Sequence, residues 1–157
     1  MAFLGTTTGR ALLTFLMAAT PVVELRGAIP YGVAAGLPLW AAYWLAVAGN
    51  LLPVPFIMLL VRRVFARLRR GAWWGPKIAA LERRAHLKGR IVTKYRLPGL
   101  ALLVAIPLPG TGAWTGALVA SLLDIRMKTA LPAIAVGVLI AGALTGLITG
   151  GVAQLFF

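Results

Sequence analysis

Two long stretches of the chain carry no charged residue and are long enough to cross a lipid bilayer as helices. They are residues 37–61 and 129–157, and each exceeds the ~20 apolar residues that a helix needs to span the hydrocarbon core. Pro38 stands near the start of the first stretch, where a helix tolerates proline, and Trp40 follows where an interfacial aromatic belt is expected. This pattern predicts two full transmembrane helices.

Two further apolar stretches, residues 11–36 and 97–123, are interrupted near their centres. The first interruption, residues 23–32, reads VELRGAIPYG, and the second, residues 105–112, reads AIPLPGTG. Proline removes a backbone donor and clashes with a continuing helix, whereas glycine permits unusual backbone angles. Each flanking leg is about half the length of a span at ~1.5 Å of rise per residue. The pattern therefore predicts two re-entrant helical hairpins rather than two more spans.

The positive charge of the chain is concentrated in one segment. Of the sixteen Lys and Arg residues, twelve lie within residues 62–96, and the formal net charge is +13. Because 61% of the residues are hydrophobic and the rest of the chain is nearly free of charge, a soluble nucleic-acid binder is excluded. Basic loops favour the cytoplasm, so residues 62–96 are predicted to form a cytoplasmic connector. Arg126 and Lys128 lie on the same side if residues 97–123 enter the membrane and return.

A short motif favours an internal repeat. Ala28-Ile29-Pro30 recurs as Ala105-Ile106-Pro107, each time at a predicted break and upstream of a long span. The predicted topology gives residues 1–61 and 97–157 opposite orientations, which is an inverted repeat of the kind that builds secondary transporters. The expected fold is a single all-α integral membrane domain, residues 1–157, with an amphipathic connector helix at the interface.

The connector also predicts a partner. Its basic residues are expected to touch anionic lipid head groups, and specific recognition of a phosphorylated lipid head is the alternative.

The two interrupted segments resemble a known family. The strings VELRGAIPYG, residues 23–32, and AIPLPGTGAWTG, residues 105–116, are similar to those of the small multidrug export family of bacterial and archaeal membrane proteins. More distantly, the chain is similar to the DedA (VTT) superfamily, whose members carry two re-entrant hairpins and include lipid flippases and scramblases. The resemblance implies transport as the activity.

Glu24 is the main candidate for chemistry because it is the only acid inside an apolar segment. An ionisable group there is costly and usually functional, and a carboxyl that loses water favours its neutral form, as a proton-exchange site requires. The alternative is that Glu24 pairs with Arg26 or caps the second half-helix by accepting backbone N–H bonds. Arg26 suits an anionic substrate group such as phosphate, or else balances the charge of Glu24.

The other candidate residues lie at the breaks. The prolines and glycines are expected to shape the hairpin backbones, and free N–H groups at the following helix starts could bind an anion. The predicted substrate- or proton-binding residues are Glu24, Arg26, Pro30, Pro107, Pro109, Gly110, Thr111 and Gly112. In the first span, Asn50 is expected to make a hydrogen bond that packs helices together.

These features favour a small secondary transporter or lipid flippase that moves an anionic, phosphate-bearing lipid or amphiphile. Two alternatives stay open: a proton-coupled exporter of small lipophilic compounds, and a membrane scaffold that transports nothing. An enzyme is not expected, since no nucleophile–base pair is visible. With no cysteine and only His86 as histidine, no metal site or cofactor is expected either.

The expected assembly is a homodimer in the inner (plasma) membrane. Four membrane segments are few for enclosing a pathway, and closed two-fold dimers are the commonest oligomers. Gly142, Gly146 and Gly150 recur at four-residue spacing, which allows another helix to approach closely. This glycine ridge is the predicted dimer interface.

Overall fold

The computed structural model of the protein describes residues 6–68, 70, 71, 73, 75–88, 96–106 and 111–156. Within these ranges the chain forms helices and turns and no strand, which confirms the all-α prediction. The helices are α1 Thr7–Ala19, α2 Glu24–Ala34, α3 Leu39–Leu51, α4 Pro53–Leu68, α5 Gly75–Lys88, α6 Arg96–Ala105, α7 Ala113–Leu122 and α8 Met127–Phe156.

Among the described residues, two helices are long and apolar enough to cross a membrane. The first combines α3 and α4, Leu39–Leu68, with 30 residues and a mean hydropathy of 2.0. The second is the part of α8 from Met127 to Val152, with 26 residues and a mean hydropathy of 2.3. Both predicted spans are therefore present as helices. The first continues past residue 61 and carries Arg62 on its last turns.

The first hairpin breaks earlier than the sequence predicts. Helix α1 ends at Ala19, residues 20–23 form the turn, and α2 begins at Glu24 and runs through Pro30. The predicted break at residues 23–32 is therefore wrong in position. A proline removes one helical hydrogen bond and crowds the preceding turn, but α2 packs against α1, α3 and α8. This packing holds Pro30 in a helix.

The second hairpin breaks where the sequence predicts. Helix α6 ends at Ala105, Ile106 is a bend, and α7 begins at Ala113 after the non-helical residues Thr111 and Gly112. Three predicted site residues, Pro107, Pro109 and Gly110, lie outside the described residues.

The helices pack in two similar groups around a common core. Helix α1 lies along α3 and α6 lies along α8, while α2 contacts α8 and α7 contacts α4. Ile29 of α2, Met58 of α4, Leu100 of α6 and Ile134 of α8 are fully buried where these helices meet. The core thus joins both halves of the chain.

The turns that follow α2 and α7 have the same geometry. In the first, Gly36 N–H donates to the Val33 carbonyl and Leu37 N–H donates to the Gly32 carbonyl, both at 2.9 Å. The same two bonds recur from Asp124 to Ser121 and from Ile125 to Ala120, at 3.3 and 2.9 Å. Both are Schellman motifs, and the residue in the left-handed conformation is Gly36 (φ +92°) or Asp124 (φ +53°).

Gly36 and Asp124 are 88 positions apart, and the same separation relates other positions with matching environments. Gly49 of α3 and Gly137 of α8 are 88 residues apart, and each packs closely against the backbone of the first helix of its own hairpin. By contrast, Ala28-Ile29-Pro30 lies inside α2, whereas Ala105 is the last residue of α6 and Ile106 is a bend. The prediction that this motif marks equivalent breaks is therefore wrong.

The glycine ridge packs inside the chain. A Cβ on Gly142 would lie 2.8 Å from Cε2 of Tyr43, and Cβ atoms on Gly146 and Gly150 would face Leu39 at 3.9 and 3.5 Å. Tyr43 and Leu39 both belong to α3, so this helix covers the ridge. The prediction that the ridge forms a dimer interface is wrong, because the sequence shows that a face is small without showing what covers it.

Asn50 does not make the predicted hydrogen bond. Its side chain is fully buried near the end of α3, and neither Oδ1 nor Nδ2 has a hydrogen-bond partner in the described part of the chain. In the connector, the predicted helix is present as α5, where Ile78 is buried and the Lys77 ammonium lies 3.9 Å from the centre of the Trp73 ring.

Candidate functional site

Glu24 is the first residue of α2, and its side chain crosses to the second hairpin. The residue is only 8% exposed, and the backbone N–H of Trp114 donates to its carboxylate. A Cβ placed on Gly112 would overlap both carboxylate oxygens, so the glycine is what lets the carboxylate reach the start of α7. Glu24 therefore caps a half-helix, as one of the two sequence interpretations proposed, but it is the half-helix of the other hairpin.

The backbone of Glu24 is in an unusual conformation. Its φ of +50° lies in the left-handed region, which residues with a side chain rarely adopt. Such a conformation costs on the order of 1–3 kcal/mol and persists only where the surroundings impose it. The turn at residues 20–23 and the contact with α7 impose it here. Strain at an acidic residue between two hairpins is typical of a functional position.

Arg26 bonds to both sides of the second break. One terminal nitrogen donates to the Ile106 carbonyl at 3.0 Å, to Thr111 Oγ1 at 3.1 Å and to the Thr111 carbonyl. The Thr111 hydroxyl itself donates to the Ile106 carbonyl at 2.7 Å. The arginine thus joins the end of α6 to the residues that precede α7. Its role in the described structure is to hold the second break together.

Trp114 makes the reverse connection. Its indole Nε1–H donates to the Ala19 carbonyl, the last residue of α1, at 3.2 Å. Each hairpin therefore holds the break of the other, through Arg26 in one direction and Trp114 in the other. We call this cluster, Glu24, Arg26, Thr111, Gly112 and Trp114, the hairpin junction.

The charge of Glu24 takes part in two interactions at the hairpin junction. Glu24 and Arg26 are close enough for their opposite charges to attract, and a carboxylate at a helix N-terminus is stabilised by the N–H groups there. Adding a proton to Glu24 removes the negative charge that both interactions need. One protonation event would then weaken the contact between the hairpins.

An open apolar groove of about 560 Å³ reaches the hairpin junction. Trp114 forms one end of the groove while its backbone N–H holds Glu24. The groove follows one face of α4 and ends in a basic residue. Its lining residues are Leu52, Pro53, Phe56, Ile57, Leu59, Leu60, Arg63 and Trp114.

The sequence predicted part of this site. The structure brings together Glu24, Arg26, Thr111 and Gly112, but Pro30 is exposed on the surface of α2 and outside the cluster. The groove was missed. Its only signal was the spacing of Leu52, Phe56 and Leu60 along one helical face, which also suits a face in contact with lipid.

The helices and the site together define an all-α membrane protein in which two helical hairpins meet at a buried carboxylate. Residues 24–144 match the family described as putative small multi-drug export protein. The chain belongs to this family, and the matched region contains the whole hairpin junction. No curated protein and no solved structure matches the chain.

Proposed function

We propose that the protein is a small proton-coupled secondary transporter that exports lipophilic compounds across the plasma membrane. The observation that carries the proposal is the position of Glu24, a buried carboxylate in contact with Trp114 at the end of an apolar groove. A buried ionisable group in a membrane segment is costly and usually functional. The family description supports export of small compounds, which favours this function over lipid movement.

In this proposal, the proton and the substrate both act on the N-terminal end of α7. A lipophilic compound in the groove contacts Trp114, the residue whose N–H binds Glu24. Losing a helix cap costs about 0.5–2 kcal/mol, so protonation of Glu24 changes how firmly α7 is held. By linkage, a compound that binds better to one arrangement of α7 changes the proton affinity of Glu24. This coupling is what a proton-driven exporter requires.

We infer that the two hairpins are re-entrant and related as an inverted repeat. Supporting this are the matching Schellman turns, the 88-residue separation of Gly49 and Gly137, and the burial classes of residues 24–32, which recur position by position in residues 112–120. The reciprocal bonds of Arg26 and Trp114 also fit such a relation. Rocking of one repeat against the other would give alternating access.

The basic connector then lies on the cytoplasmic side, where α5 contacts anionic head groups. A homodimer stays part of the proposal, with an interface other than the glycine ridge. The protein is proposed to have no enzymatic activity.

Movement of a phosphate-bearing lipid is the second candidate, supported by Arg63 at the basic end of the groove. An anionic head could bind there while the acyl chain follows the apolar wall. Arg26, which the sequence suggested as the anion receptor, instead bonds to the Ile106 and Thr111 carbonyls. This makes lipid movement the weaker candidate.

The experiment is flux through proteoliposomes with and without a pH gradient. The probes are ethidium, a lipophilic aromatic cation, and phosphatidylglycerol with a fluorescent acyl chain. Glu24→Gln keeps the shape of the side chain but cannot titrate, so it should fold normally and lose gradient-driven ethidium flux. Glu82→Gln, the same change in the connector, is the matched control and should behave as the wild type.

Each outcome separates the candidates. Wild-type flux with an unchanged pH profile in Glu24→Gln would remove Glu24 from the mechanism. Movement of the labelled lipid without ethidium flux would favour the flippase. No flux of either probe, with only Glu24→Ala destabilising the protein, would favour a scaffold in which Glu24 is a helix cap.

A further inference from the structure

A second cavity, of about 240 Å³, lies between α4 and the turn from α7 to α8. Its lining residues are Arg62, Phe65, Ala66, Ser121 and Asp124. Helix α7 has 10 residues, so this cavity and the hairpin junction are at opposite ends of a helix about 15 Å long. The cavity is therefore separate from the hairpin junction, and it shares no lining residue with the apolar groove.

Arg62 lines the cavity, and one of its nitrogens is enclosed by protein. One terminal nitrogen donates to the Ile125 carbonyl, while Nε–H is buried and has no hydrogen-bond partner among the residues that the structure describes. A buried donor without an acceptor costs about 1–3 kcal/mol. Because Arg62 follows the uncharged residues 37–61, it lies where the span reaches the lipid head groups. An anionic group that enters the cavity would accept from the terminal N–H groups of the guanidinium, since Nε itself is enclosed by protein.

Asp124 provides the opposite charge in a position that favours glycine. Its φ of +53° is the left-handed conformation of a Schellman motif, where Gly36 stands in the matching turn of the first hairpin. Glycine adopts this conformation at no steric cost, whereas aspartate does not. Aspartate is among the few residues with a side chain that adopt this conformation routinely, so the turn accommodates Asp124 and presents its exposed carboxylate at the cavity.

The two charges face one cavity without bonding to each other. Within the described part of the chain, Arg62 and Asp124 line the same space and form no ion pair. A purely anionic ligand would be repelled by Asp124, and a purely cationic ligand would be repelled by Arg62. A ligand with both charges satisfies both residues.

We infer that this cavity binds the phosphoethanolamine head group of a membrane lipid. The phosphate accepts hydrogen bonds from the Arg62 guanidinium, and the ammonium donates to the Asp124 carboxylate. Phe65 gives an apolar wall beside the head group. The site would anchor a zwitterionic lipid at the end of the first span, whether or not the protein transports lipophilic compounds.

The test is lipid retention by the full-length protein in a neutral detergent, measured by native mass spectrometry. Equal amounts of phosphatidylethanolamine and phosphatidylcholine, which have the same net charge, are offered, and the wild type should retain the former in preference because choline has no N–H to donate to Asp124. Asp124→Asn should lower that preference about tenfold, equivalent to about 1.4 kcal/mol. Asparagine tolerates the left-handed conformation well, so this variant should keep its fold.

A matched control and a second ligand complete the test. Arg67→Gln removes an exposed charge from the same helix, outside the cavity, and should leave the preference unchanged. Soluble O-phosphoethanolamine should displace the retained lipid. Binding of the soluble compound without lipid retention would assign the cavity to a free zwitterion instead. Equal retention of both lipids by the wild type, or an unchanged preference in Asp124→Asn, would overturn the inference.

Discussion

Replacing Gly112 by alanine should separate the two hairpins at the point where Glu24 reaches α7. The φ of Gly112 is −157°, an extended conformation that any residue adopts, so the backbone does not require glycine. The space does, because a Cβ at this position would overlap both carboxylate oxygens of Glu24. The variant therefore tests one contact rather than general flexibility.

The expected loss of stability has two parts. Overpacking a buried site costs about 1–3 kcal/mol, and removing the carboxylate from the Trp114 N–H removes a helix cap worth about 0.5–2 kcal/mol. A combined loss of about 3 kcal/mol would lower the melting temperature by roughly 6–12 °C for a chain of this size. Thermal unfolding of the purified protein in detergent measures this directly.

A double-mutant cycle with Glu24→Ala makes the test specific. Alanine at residue 24 removes the carboxylate, so Gly112→Ala should then cost less than about 1 kcal/mol instead of about 3 kcal/mol, a coupling of at least ~2 kcal/mol. Gly151→Ala is the control, since a Cβ there meets nothing within 4 Å. Additive effects of the two substitutions would refute the contact and the capping of α7 by Glu24.

Two further predictions concern the repeat and the glycine ridge. Because the chain has no cysteine, single cysteines introduced at Ala79 and Thr129 can be labelled with a membrane-impermeant thiol reagent. Both should react only from the cytoplasmic side. Labelling at residue 129 from outside would contradict the inverted repeat. Gly142→Ala should cost about 1–3 kcal/mol on thermal unfolding, because its Cβ would lie 2.8 Å from the Tyr43 ring. Gly146→Ala should be tolerated, because its Cβ would meet only Leu39, at 3.9 Å. Equal losses of stability in the two variants would contradict the packing of the ridge against α3.

Hydropathy and helix-breaking residues were sufficient to predict the two long spans and the second break. The two spans follow from length and hydropathy, since a helix that satisfies its own backbone is the simplest way through lipid. The break after Ala105 follows from the prolines and glycines that come next. Glu24 was found because an acid is rare in an apolar segment.

Features that depend on packing could not be predicted in the same way. Pro30 interrupts a helix in isolation, but contacts with three other helices keep α2 intact. The glycine ridge predicted a close helix neighbour, yet the sequence could not distinguish α3 of the same chain from a second copy. Asn50 was expected to bond across helices, but among the described residues its side-chain atoms make no hydrogen bond.

The sequence by itself therefore determined the class of protein, the number of long spans and the identity of the unusual acid. Only the tertiary structure decided that Glu24 binds the start of α7, that Arg26 bonds to Ile106 and Thr111, and that Trp114 contacts both Ala19 and the groove. The residues joined by the Arg26 and Trp114 side-chain hydrogen bonds are separated by 80 or more positions. Hydropathy and helix-breaking residues act within a few turns, whereas such contacts form only when two whole hairpins pack together.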